Sequence, residues 1–562
     1  MVAMNVLSAE EMQACDRATA EEFGIPSLDL MRAAAVAVAA FAREQFPRAR
    51  RVTVLCGRGN NGGDGMMAAR LLAAAGLEVT TLLLGSPEGL AGDAAEAWRE
   101  LAHADSRAAQ GLFHIVETAQ DLDLFKDALA ADLIVDAVLG TGFKPPLKGL
   151  PLAALEWLKQ SQAPVLSVDL PSGWGADEIA AAAAGPVFPA DAVLTFTAPK
   201  PAHVFGALTR RWDQPIVVAP IGSPEGVIVS ATGLAWAGSA LELTQTPRAA
   251  AANKGKFGHV LVVGGAVGRS GAVAMAALAA MRAGAGLVTA AVPAPVLPQV
   301  ASVALELMTW PLKTTAAGEI AEANLAPDLL ETLTAGKTVL AIGPGLGQGA
   351  ETVAFTIGLL SSTKMPAVID ADALNILAAQ PALLEKLGKA AEQGRTLVLT
   401  PHPGEMARLA GITTAEVQAN RLEVACAFAE RTGFTVVLKG ARTLIAQPDG
   451  RVAVNTSGNP GMAKGGSGDV LTGLVAGLLA QYPPGLDSMG PARAVEAAVY
   501  LHGLAADLAL RQFDQHTLLA TDGLAQLSQA FRFRSRGKNG YVWLQGLPAE
   551  SSPAAATHEA AE

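Results

Sequence analysis

A glycine-rich segment in the second half of the chain combines residue types that can bind an anion and accept a proton. Asn459–Gly473 reads Asn-Pro-Gly-Met-Ala-Lys-Gly-Gly-Ser-Gly-Asp-Val-Leu-Thr-Gly, and it runs into an apolar stretch, Val470–Leu479, that predicts a helix. Glycines let backbone N–H groups approach a ligand, and a helix N-terminus favours an anion. Asp469 stands at the helix start, where a carboxylate can accept a proton from a substrate hydroxyl. The same residues are also compatible with a tight turn capped by Asp469.

A second glycine-rich turn lies in the first half of the chain. Arg51–Cys56 predicts a β-branched strand that leads into Gly57–Gly65 and then into a predicted helix. Strand, glycine turn and helix form the phosphate-binding half of a βαβ unit. The turn matches Gly-x-Gly-x-x-Gly, but that match is weak by itself. The next predicted strand, Glu78–Leu84, ends in Gly85 and Ser86 and lacks the acid that binds the ribose in a Rossmann fold.

Side chains with oxygen atoms recur where predicted strands of the first half end. Asn61 and Asp64 lie in the first turn, Asp136 lies within an apolar run, and Asp169 and Ser172 follow another short strand. The carboxyl ends of parallel strands meet at one edge of a sheet, where such folds bind ligands. Hard oxygen ligands suit a cation or a ribose as well as a phosphate. Each acid alone is more often a helix cap, but together they favour a site.

Composition limits the class of protein. A chain of 562 residues predicts two or three domains, and its 58 glycines with only 5% aromatic residues favour α/β packing. The net charge of −11 disfavours a nucleic-acid partner. Cys15, Cys56 and Cys426 are far apart, which argues against a zinc site or disulfides and favours the cytoplasm. Ala283–Leu305 is uncharged, but its glycines and prolines predict strand and turn, so we expect no membrane partner.

Five predicted strands of the second half each end in a glycine or polar turn and alternate with helical stretches. They are Gly258–Gly264, Thr338–Ile342, Ala367–Ile369, Thr396–Leu399 and Thr435–Leu438. This pattern predicts a doubly wound α/β domain with its turns on one edge. His402 lies in one of these turns between two prolines, where it is also compatible with a buried core histidine.

Domain boundaries follow from shifts in composition. Residues 229–245 lie in a stretch rich in Gly, Ser and Thr and are expected to link a domain at 1–228 to a domain at 246–532. Residues 533–562 begin with basic side chains and continue with Pro, Ser and Ala, so we expect a disordered tail.

In sequence order, the motifs of the first half resemble those of NAD(P)H-hydrate epimerases. They are Gly59–Gly65, Asp136–Gly142, Val168–Gly173, and Ala190–Phe196 with Lys200. The resemblance covers about residues 5–225 and implies a Rossmann-like domain that interconverts the R and S forms of hydrated NADH or NADPH. It also implies a potassium ion bound by Asn61, Asp136 and Ser172, and Asp169 as the acid/base group. The residues it implies for hydrate binding are Asn60, Asn61, Gly62, Gly63, Asp64, Gly140, Thr141, Gly142, Phe143, Lys144, Pro145, Pro146 and Asp169.

The turns of the second half are similar to those of the ribokinase-like fold, specifically of NAD(P)H-hydrate dehydratases. The motifs are Lys254–Gly258, Gly343–Gly347, Pro401–Glu405, Lys439-Gly440 and Asn459–Gly473, within about residues 248–530. The resemblance implies that cleavage of ADP or ATP, with Mg²⁺, drives loss of water from the S hydrate after Asp469 deprotonates its hydroxyl. The residues implied for the hydrate are Ala272, Gly345, His402 and Asp469, and those for the nucleotide are Lys439, Gly440, Ala441, Arg442, Thr443 and Gly468. Lys464 and Ser467 depart from the family pattern, which favours threonines.

The sequence therefore predicts an α/β protein, with a Rossmann-like N-terminal domain joined to a ribokinase-like C-terminal domain, that repairs NADH and NADPH hydrates. The fused arrangement favours ADP over ATP, and the resemblance implies a homo-oligomer. One alternative is a ribokinase-like small-molecule kinase with an accessory nucleotide-binding domain, which would release a stable phosphorylated product. The other is a nucleotide sensor that binds without turnover.

Overall fold

The computed structural model describes residues 4–102, 113–245, 247–482, 490–537 and 539–548, which form two structural units. The first unit contains Asn5–Ala231 and the described residues from Ser535 onward. The second unit contains Met4 and Thr232–Arg534.

Apolar runs form the parallel sheet of the first unit. Its strands are β1 (Arg51–Cys56), β2 (Glu78–Leu84), β3 (Phe113–Val116), β4 (Leu133–Ala137), β5 (Val165–Val168), β6 (Ala192–Phe196) and β7 (Ile216–Ala219). They pair in parallel in the order β3-β2-β1-β4-β5-β6-β7. This is the strand order of a doubly wound dinucleotide-binding sheet with one strand added. The predicted Rossmann-like architecture is confirmed.

The helices of the first unit cover this sheet and place its turns. They are α1 (Ala9–Phe23), α2 (Ser27–Gln45), α3 (Asn60–Ala74), α4 (Gly92–Ala102), α5 (Gly149–Leu158) and α6 (Pro201–Phe205). The prediction that all of Gly57–Gly65 forms a turn is wrong, because α3 already begins at Asn60. A β-carbon built on Gly65 would lie 2.5 Å from the Ala137 side chain. Glycine therefore lets the N-terminal half of α3 pack directly on β4.

The second unit has a larger mixed sheet. Its strands are β8 (Leu234–Trp236), β9 (His259–Val263), β10 (Leu287–Pro293), β11 (Met308–Leu312), β12 (Val339–Ile342), β13 (Ala367–Ile369), β14 (Leu397–Leu399), β15 (Thr435–Leu438), β16 (Leu444–Ala446) and β17 (Val452–Val454). The order is β11-β10-β9-β12-β13-β14-β15-β16-β17-β8, with antiparallel pairing only around β16. The five predicted strands are β9 and β12–β15, and the α/β prediction for this half is confirmed.

Residues 234–245 are not a linker. Strand β8 forms the edge of the second sheet, and its Trp236 is fully buried against the ring of Tyr500. The Trp236 indole donates a hydrogen bond of 2.8 Å to the hydroxyl of Thr456. The Gly, Ser and Thr residues around this stretch interrupt any long apolar pattern, so composition alone concealed a segment that a buried tryptophan and buried leucines fix in the core.

Helices enclose the second sheet. They are α7 (Ser270–Arg282), α8 (Leu297–Ala301), α9 (Pro327–Thr334), α10 (Ala350–Ser362), α11 (Ala371–Ala378), α12 (Pro381–Glu392), α13 (Pro403–Ala410), α14 (Thr414–Ala419), α15 (Arg421–Thr432), α16 (Ser467–Gln481), α17 (Gly490–Ala509), α18 (Ala520–Ala525) and α19 (Leu527–Arg532). Helix α16 is buried on nearly every side, and β-carbons on Gly473 and Gly477 would lie 2.0 and 2.6 Å from carbonyl oxygens of α7. This close contact fixes where α16 begins. Across the described ranges, no helix has the length and apolarity needed to cross a bilayer.

The predicted disordered tail contains a strand of the first unit. β18 (Val542–Gln545) pairs antiparallel with β7 and completes an eight-stranded sheet. Tyr541 and Trp543 are buried, and each ring lies 6.3 Å from that of Phe41 on α2. The expectation of disorder is therefore wrong for this stretch, because two aromatic side chains supply apolar area that the surrounding composition lacks. The predicted tail residues after 548 lie outside the described residues.

Trp543→Ala should destabilise the first unit by about 3–5 kcal/mol, the usual cost of truncating a large buried aromatic residue. Urea unfolding, followed for the first unit, measures this change. Trp212 belongs to the same unit but is 38% exposed, so Trp212→Ala should change the free energy of unfolding by less than about 1 kcal/mol. Equal effects of the two substitutions would contradict the contribution of β18.

Candidate functional site

A cavity of about 1140 Å³ opens at the carboxyl edge of the first sheet. Such an edge is where doubly wound sheets bind ligands. Of the residues predicted to bind the hydrate, those lining the cavity are Asn60, Asn61, Asp64, Gly140, Thr141, Gly142, Phe143, Lys144 and Asp169. Pro145 lines a neighbouring cavity of about 330 Å³, whereas Gly62, Gly63 and Pro146 line neither.

Asp169 is the most constrained acid of this cavity. It follows β5 with a left-handed φ of 65°, which is unusual for a residue other than glycine. Its carboxylate accepts hydrogen bonds from the backbone and hydroxyl of Thr141 at 2.8 and 2.5 Å, from Thr195 at 2.9 Å and from Lys200 Nζ at 2.9 Å. Burial by itself would raise the pKa of Asp169, but the Lys200 ammonium and these donors hold that pKa below its ordinary value. Asp169 is therefore a carboxylate at neutral pH.

His203 connects the backbones of Asp169 and Lys200. Its Nδ1 accepts a hydrogen bond of 3.0 Å from the Lys200 N–H, which can only donate, so the ring proton lies on Nε2. Nε2 then donates to the Asp169 carbonyl oxygen at 2.7 Å. Burial and the charge of Lys200 lower the pKa of His203 to about 4, which keeps the ring neutral. The sequence analysis assigned no role to His203, Lys200 or Thr195, although the Lys-x-x-His spacing after β6 was a usable signal.

The predicted potassium ligands lie beside this acid. Asp136 at the end of β4 is fully buried and accepts hydrogen bonds from the Ser172 hydroxyl at 2.5 Å and the Ser172 backbone at 2.8 Å. Burial raises the pKa of Asp136 to about 6. The side-chain oxygen and nitrogen of Asn61 are buried and have no hydrogen-bond partner among the described residues. A β-carbon on Gly140 would lie 3.2 Å from Asn61 Cγ and 2.9 Å from Asp169 Oδ2, so Asn61 lies close to Asp169.

In the second unit, the start of α16 lies beside a buried ion pair. Lys439 Nζ is 2.9 Å from Asp370 Oδ1 and 3.8 Å from Glu405 Oε2. A β-carbon built on Gly468 would lie 3.3 Å from Lys439 Nζ. Although burial opposes the lysine charge, Asp370 and Glu405 raise the pKa of Lys439. Thus two predicted nucleotide-binding residues, Lys439 and Gly468, are adjacent in space.

Asp469 lies in the first turn of α16, close to this ion pair. Burial and the neighbouring Asp370 raise the pKa of Asp469 to about 6, and Lys439 partly offsets this rise. Asp370 accepts a hydrogen bond of 2.7 Å from the Thr472 hydroxyl, one helical turn after Gly468. The sequence analysis did not assign Asp370 or Thr472, because only the fold brings the end of β13 to α16.

The other predicted hydrate-binding residues of the second unit lie on α7 and after strands β12 and β14. A β-carbon built on Gly345 would lie 3.2 Å from the Ala272 side chain, so these two residues are adjacent. His402 caps α13, and its Nε2 lies 3.4 Å from Glu405. Its side chain is 52% exposed, so the alternative of a buried core histidine is wrong.

The predicted nucleotide loop after β15 is held by an arginine from α15. The guanidinium of Arg421 donates to the carbonyl oxygens of Lys439 and Arg442, each at 3.4 Å. Within the loop, the Thr443 hydroxyl donates to the Gly440 carbonyl at 2.8 Å, and Ala441 is exposed. The loop therefore has a fixed backbone. Arg421 had no recognisable sequence signal.

The two departures from the dehydratase pattern make local contacts. Lys464 Nζ donates to the His516 carbonyl at 2.5 Å, and the Ser467 hydroxyl donates to the Met462 carbonyl at 2.8 Å. Both side chains therefore brace the glycine-rich segment.

Comparisons with known proteins match both units. The model of the NAD(P)H-hydrate dehydratase family matches residues 260–529, and that of the YjeF-related protein N-terminus matches residues 27–202. A bifunctional NAD(P)H-hydrate repair enzyme of Moorella thermoacetica is 42% identical over 94% of this chain and 97% of its own length. One from Escherichia coli is 34% identical over 94% and 95%. An ADP/ATP-dependent NAD(P)H-hydrate dehydratase from Bacillus subtilis, co-crystallized with ATP/Mg²⁺, has 32% identity and a TM-score of 0.42, covering 52% of this chain and 95% of that chain.

The pH dependence of stability should reveal the neutral His203. Its pKa is about 4 in the folded protein against an ordinary 6.5, so the unfolded chain takes up a proton first as the pH falls. The difference in free energy of unfolding between wild type and His203→Gln should therefore have its full value above pH 6.5. It should shift against wild type as the pH falls towards 4, by roughly 3 kcal/mol at most.

Urea titrations of the first unit between pH 7 and pH 4 measure this difference. His516→Gln, which changes an exposed histidine of the second unit, is the matched control and should follow the wild-type profile. Parallel profiles of wild type and His203→Gln would show that His203 does not titrate in this way.

Proposed function

Since this chain belongs to the family of bifunctional NAD(P)H-hydrate repair enzymes, we propose that its two units act in sequence on hydrated NADH and NADPH. The first unit interconverts the R and S hydrates. The second unit dehydrates the S hydrate at the expense of ADP or ATP. The observation that carries this assignment is that each unit has its own acid–lysine cluster at a sheet edge, around Asp169 in the first and Asp469 in the second.

Epimerisation requires the hydroxyl group to leave and water to add to the opposite face of the ring. The hydroxyl leaves as water with a proton from the Asp169–Lys200 pair, and the C–O bond electrons go with it. The resulting ring cation then lies beside the Asp169 carboxylate, which stabilises the positive charge. Attack by water returns the proton to the pair, so the enzyme is regenerated. The lowered pKa of Asp169 assigns the donated proton to Lys200 and gives Asp169 the role of acceptor.

A potassium ion fits the residues of the first site. Asn61 offers a buried amide oxygen that lacks a partner within the described part of the chain, and Asp136 is a buried carboxylate that only neutral groups contact by hydrogen bonds. Asn61, Asp136 and Ser172 are thus the proposed ligands. A bound potassium ion supplies a fixed positive charge beside the substrate.

Dehydration in the second unit begins with phosphoryl transfer to the hydrate hydroxyl. Asp469 accepts the hydroxyl proton, and its pKa of about 6 suits a general base that works near neutral pH. The backbone N–H groups of Gly465, Gly466 and Gly468 and the Lys439 ammonium hold the transferred group. Elimination then breaks the bond between ring carbon and phosphate oxygen while the neighbouring ring carbon gives up a proton to water, so that phosphate is released and the ring double bond of the dihydropyridine is restored. Ala272, Gly345 and His402 are the proposed walls of the hydrate site.

Magnesium is expected to bind mainly through the nucleotide phosphates. The described residues contain no group of three His, Cys, Asp or Glu side chains suited to a metal ion. Magnesium commonly keeps several waters and takes one or two protein carboxylates plus phosphate oxygens. The Asp370 carboxylate lies close to Gly468, at 3.7 Å from a β-carbon built there. Preference for ADP, assembly as a homo-oligomer and a cytoplasmic location stay predictions.

The proposal is tested by recovery of dihydropyridine absorbance from mixed R and S hydrates with ADP, with ATP or with neither. Nucleotide-dependent recovery of both epimers, faster than their spontaneous exchange, is expected. Recovery that stops at the S fraction would contradict the role of the first unit. A stable phosphorylated product without recovery would favour the small-molecule kinase, and binding without turnover would favour the sensor.

Asp469→Asn should lower the dehydration rate at least about 100-fold, because it removes the proposed general base without changing side-chain size. Nucleotide-independent exchange of R and S hydrates should persist, since Asp469 belongs to the second unit. Asp449→Asn alters an exposed acid of the same unit and should leave both rates unchanged. Loss of both activities in Asp469→Asn would show that the units do not act independently.

Asp136→Asn should raise the potassium concentration needed for half-maximal epimerisation by about tenfold or more, because it removes the charged ligand. In wild type this concentration should rise as the pH falls through about 6, where Asp136 takes up a proton. The variant should lack that pH dependence. Asp127→Asn, at an exposed position of the same unit, serves as the control. Unchanged potassium dependence in Asp136→Asn would refute the ligand assignment.

A further inference from the structure

Arg58 lies where a dinucleotide-binding sheet recognises the ribose of the adenosine half. In a sheet with this strand order, the dinucleotide crosses the edge between β1 and β4, and the residue at the end of β2 contacts the ribose 2′-hydroxyl. That residue is an acid in NAD sites, whereas a nearby arginine accepts the 2′-phosphate in NADP sites. Here β2 ends at Leu84 and is followed by Gly85 and Ser86, so no acid stands at that position.

The Arg58 side chain extends over the turn that follows β2. A β-carbon built on Gly85 would lie 2.7 Å from Arg58 Cδ and 3.3 Å from its Nε. A β-carbon built on Gly89 would lie 3.1 Å from Arg58 Nη1. Side chains at these two positions would therefore displace the guanidinium. Arg58, Gly85 and Ser86 all line the large cavity of the first unit.

The guanidinium of Arg58 is available to a ligand. It makes no hydrogen bond or ion pair within the ranges that the structure describes. The other cationic side chains of the cavity lining are Lys200, which is paired with Asp169, and Lys144, which follows β4 on the other side of the sheet switch point. Asp93 and Glu117 also line this cavity, and Glu88 accepts a hydrogen bond from the Ser86 hydroxyl. Because these acids repel an anion, phosphate binding at this end depends on Arg58.

The reactive acid lies at the opposite end of the cavity. Asp169 and Lys200 belong to turns after β5 and β6. The strand order of the sheet reverses between β1 and β4, and a dinucleotide crosses the sheet edge at this switch point. When its adenosine half lies over β2, its nicotinamide half therefore lies on the side of β5 and β6. The substrate orientation required by the chemistry thus places the adenosine ribose at Arg58.

From these positions we infer that Arg58 forms a subsite for the 2′-phosphate of NADPH hydrate, which makes the first unit selective for NADPH hydrate over NADH hydrate. The inference rests on the proposed epimerase function of this unit. A guanidinium forms two parallel hydrogen bonds to a phosphate.

Exchange of purified R hydrate into S hydrate by the full chain, without ADP or ATP, isolates the first unit. The kcat/KM for NADPH hydrate should exceed that for NADH hydrate. Arg58→Ala should lower the kcat/KM for NADPH hydrate about tenfold to hundredfold through KM, the range for a lost charge-assisted contact, and should leave NADH hydrate nearly unchanged. Arg70→Ala removes a guanidinium of α3 that is paired with Glu100 at 3.0 Å, and it should alter the kcat/KM for neither substrate.

A gain of function provides an independent check. Ser86→Asp supplies the missing acid at the end of β2, so it should raise the ratio of NADH hydrate to NADPH hydrate turnover relative to wild type. Equal kcat/KM values of wild type for the two hydrates, or equal losses for both in Arg58→Ala, would overturn the inference.

Binding of adenosine 2′,5′-bisphosphate and of 5′-AMP to the full chain tests the subsite without turnover. Wild type should bind the bisphosphate more tightly, and Arg58→Ala should lose that difference; an undiminished difference would overturn the subsite. If neither hydrate exchanges while this binding result holds, the proposed epimerase function fails and the subsite stands.

Discussion

Both units depend on a carboxylate held beside a lysine at the buried carboxyl edge of a parallel sheet. An unpaired buried charge is very costly, so each carboxylate needs a cation and further donors. Lys200 and two threonines meet this requirement for Asp169, and Lys439 with Thr472 meets it for Asp370. The donors come from separate turns of the chain. Each turn must therefore arrive at a fixed distance, which explains the close backbone packing around both sites.

The two pairs set opposite proton affinities for the acids that do the proposed chemistry. In the first unit the reactive acid is itself the partner of the lysine, so Asp169 stays ionised. In the second unit Lys439 pairs with Asp370 instead. Asp469 lies beside this pair, where its own burial and the negative charge of Asp370 raise its pKa. An aspartate and a lysine thus give a permanently ionised carboxylate in the first site, whereas in the second site the same residue types leave Asp469 as a base that titrates near neutral pH. The difference follows from which acid the lysine contacts.

The sequence was informative wherever one segment carried its own signal. Apolar runs ending in glycine or polar turns identified β9 and β12–β15, and short motifs identified the families. It was misleading where a few side chains decide the outcome, as with Trp236 in the expected linker and Trp543 in the expected tail. It also missed Asp370 and His203 as site residues, because their roles depend on atoms from elements distant in sequence. Glycines were interpreted as turn residues, although Gly65 lies within α3 and allows close packing of this helix on the sheet.

The return of β18 to the first sheet has a consequence for biosynthesis. Its partner β7 ends at Ala219, whereas β18 begins only at Val542, so residues Thr232–Arg534 of the second unit are translated between them. Domains generally fold as they leave the ribosome, N-terminal first. During translation of the second unit, β7 is therefore an edge strand without its partner β18. The exposed backbone groups of such an edge can pair with a strand of another chain and promote aggregation. It follows that no single cut of the gene between the two units yields a complete first unit, and that prematurely terminated chains carry an open sheet edge.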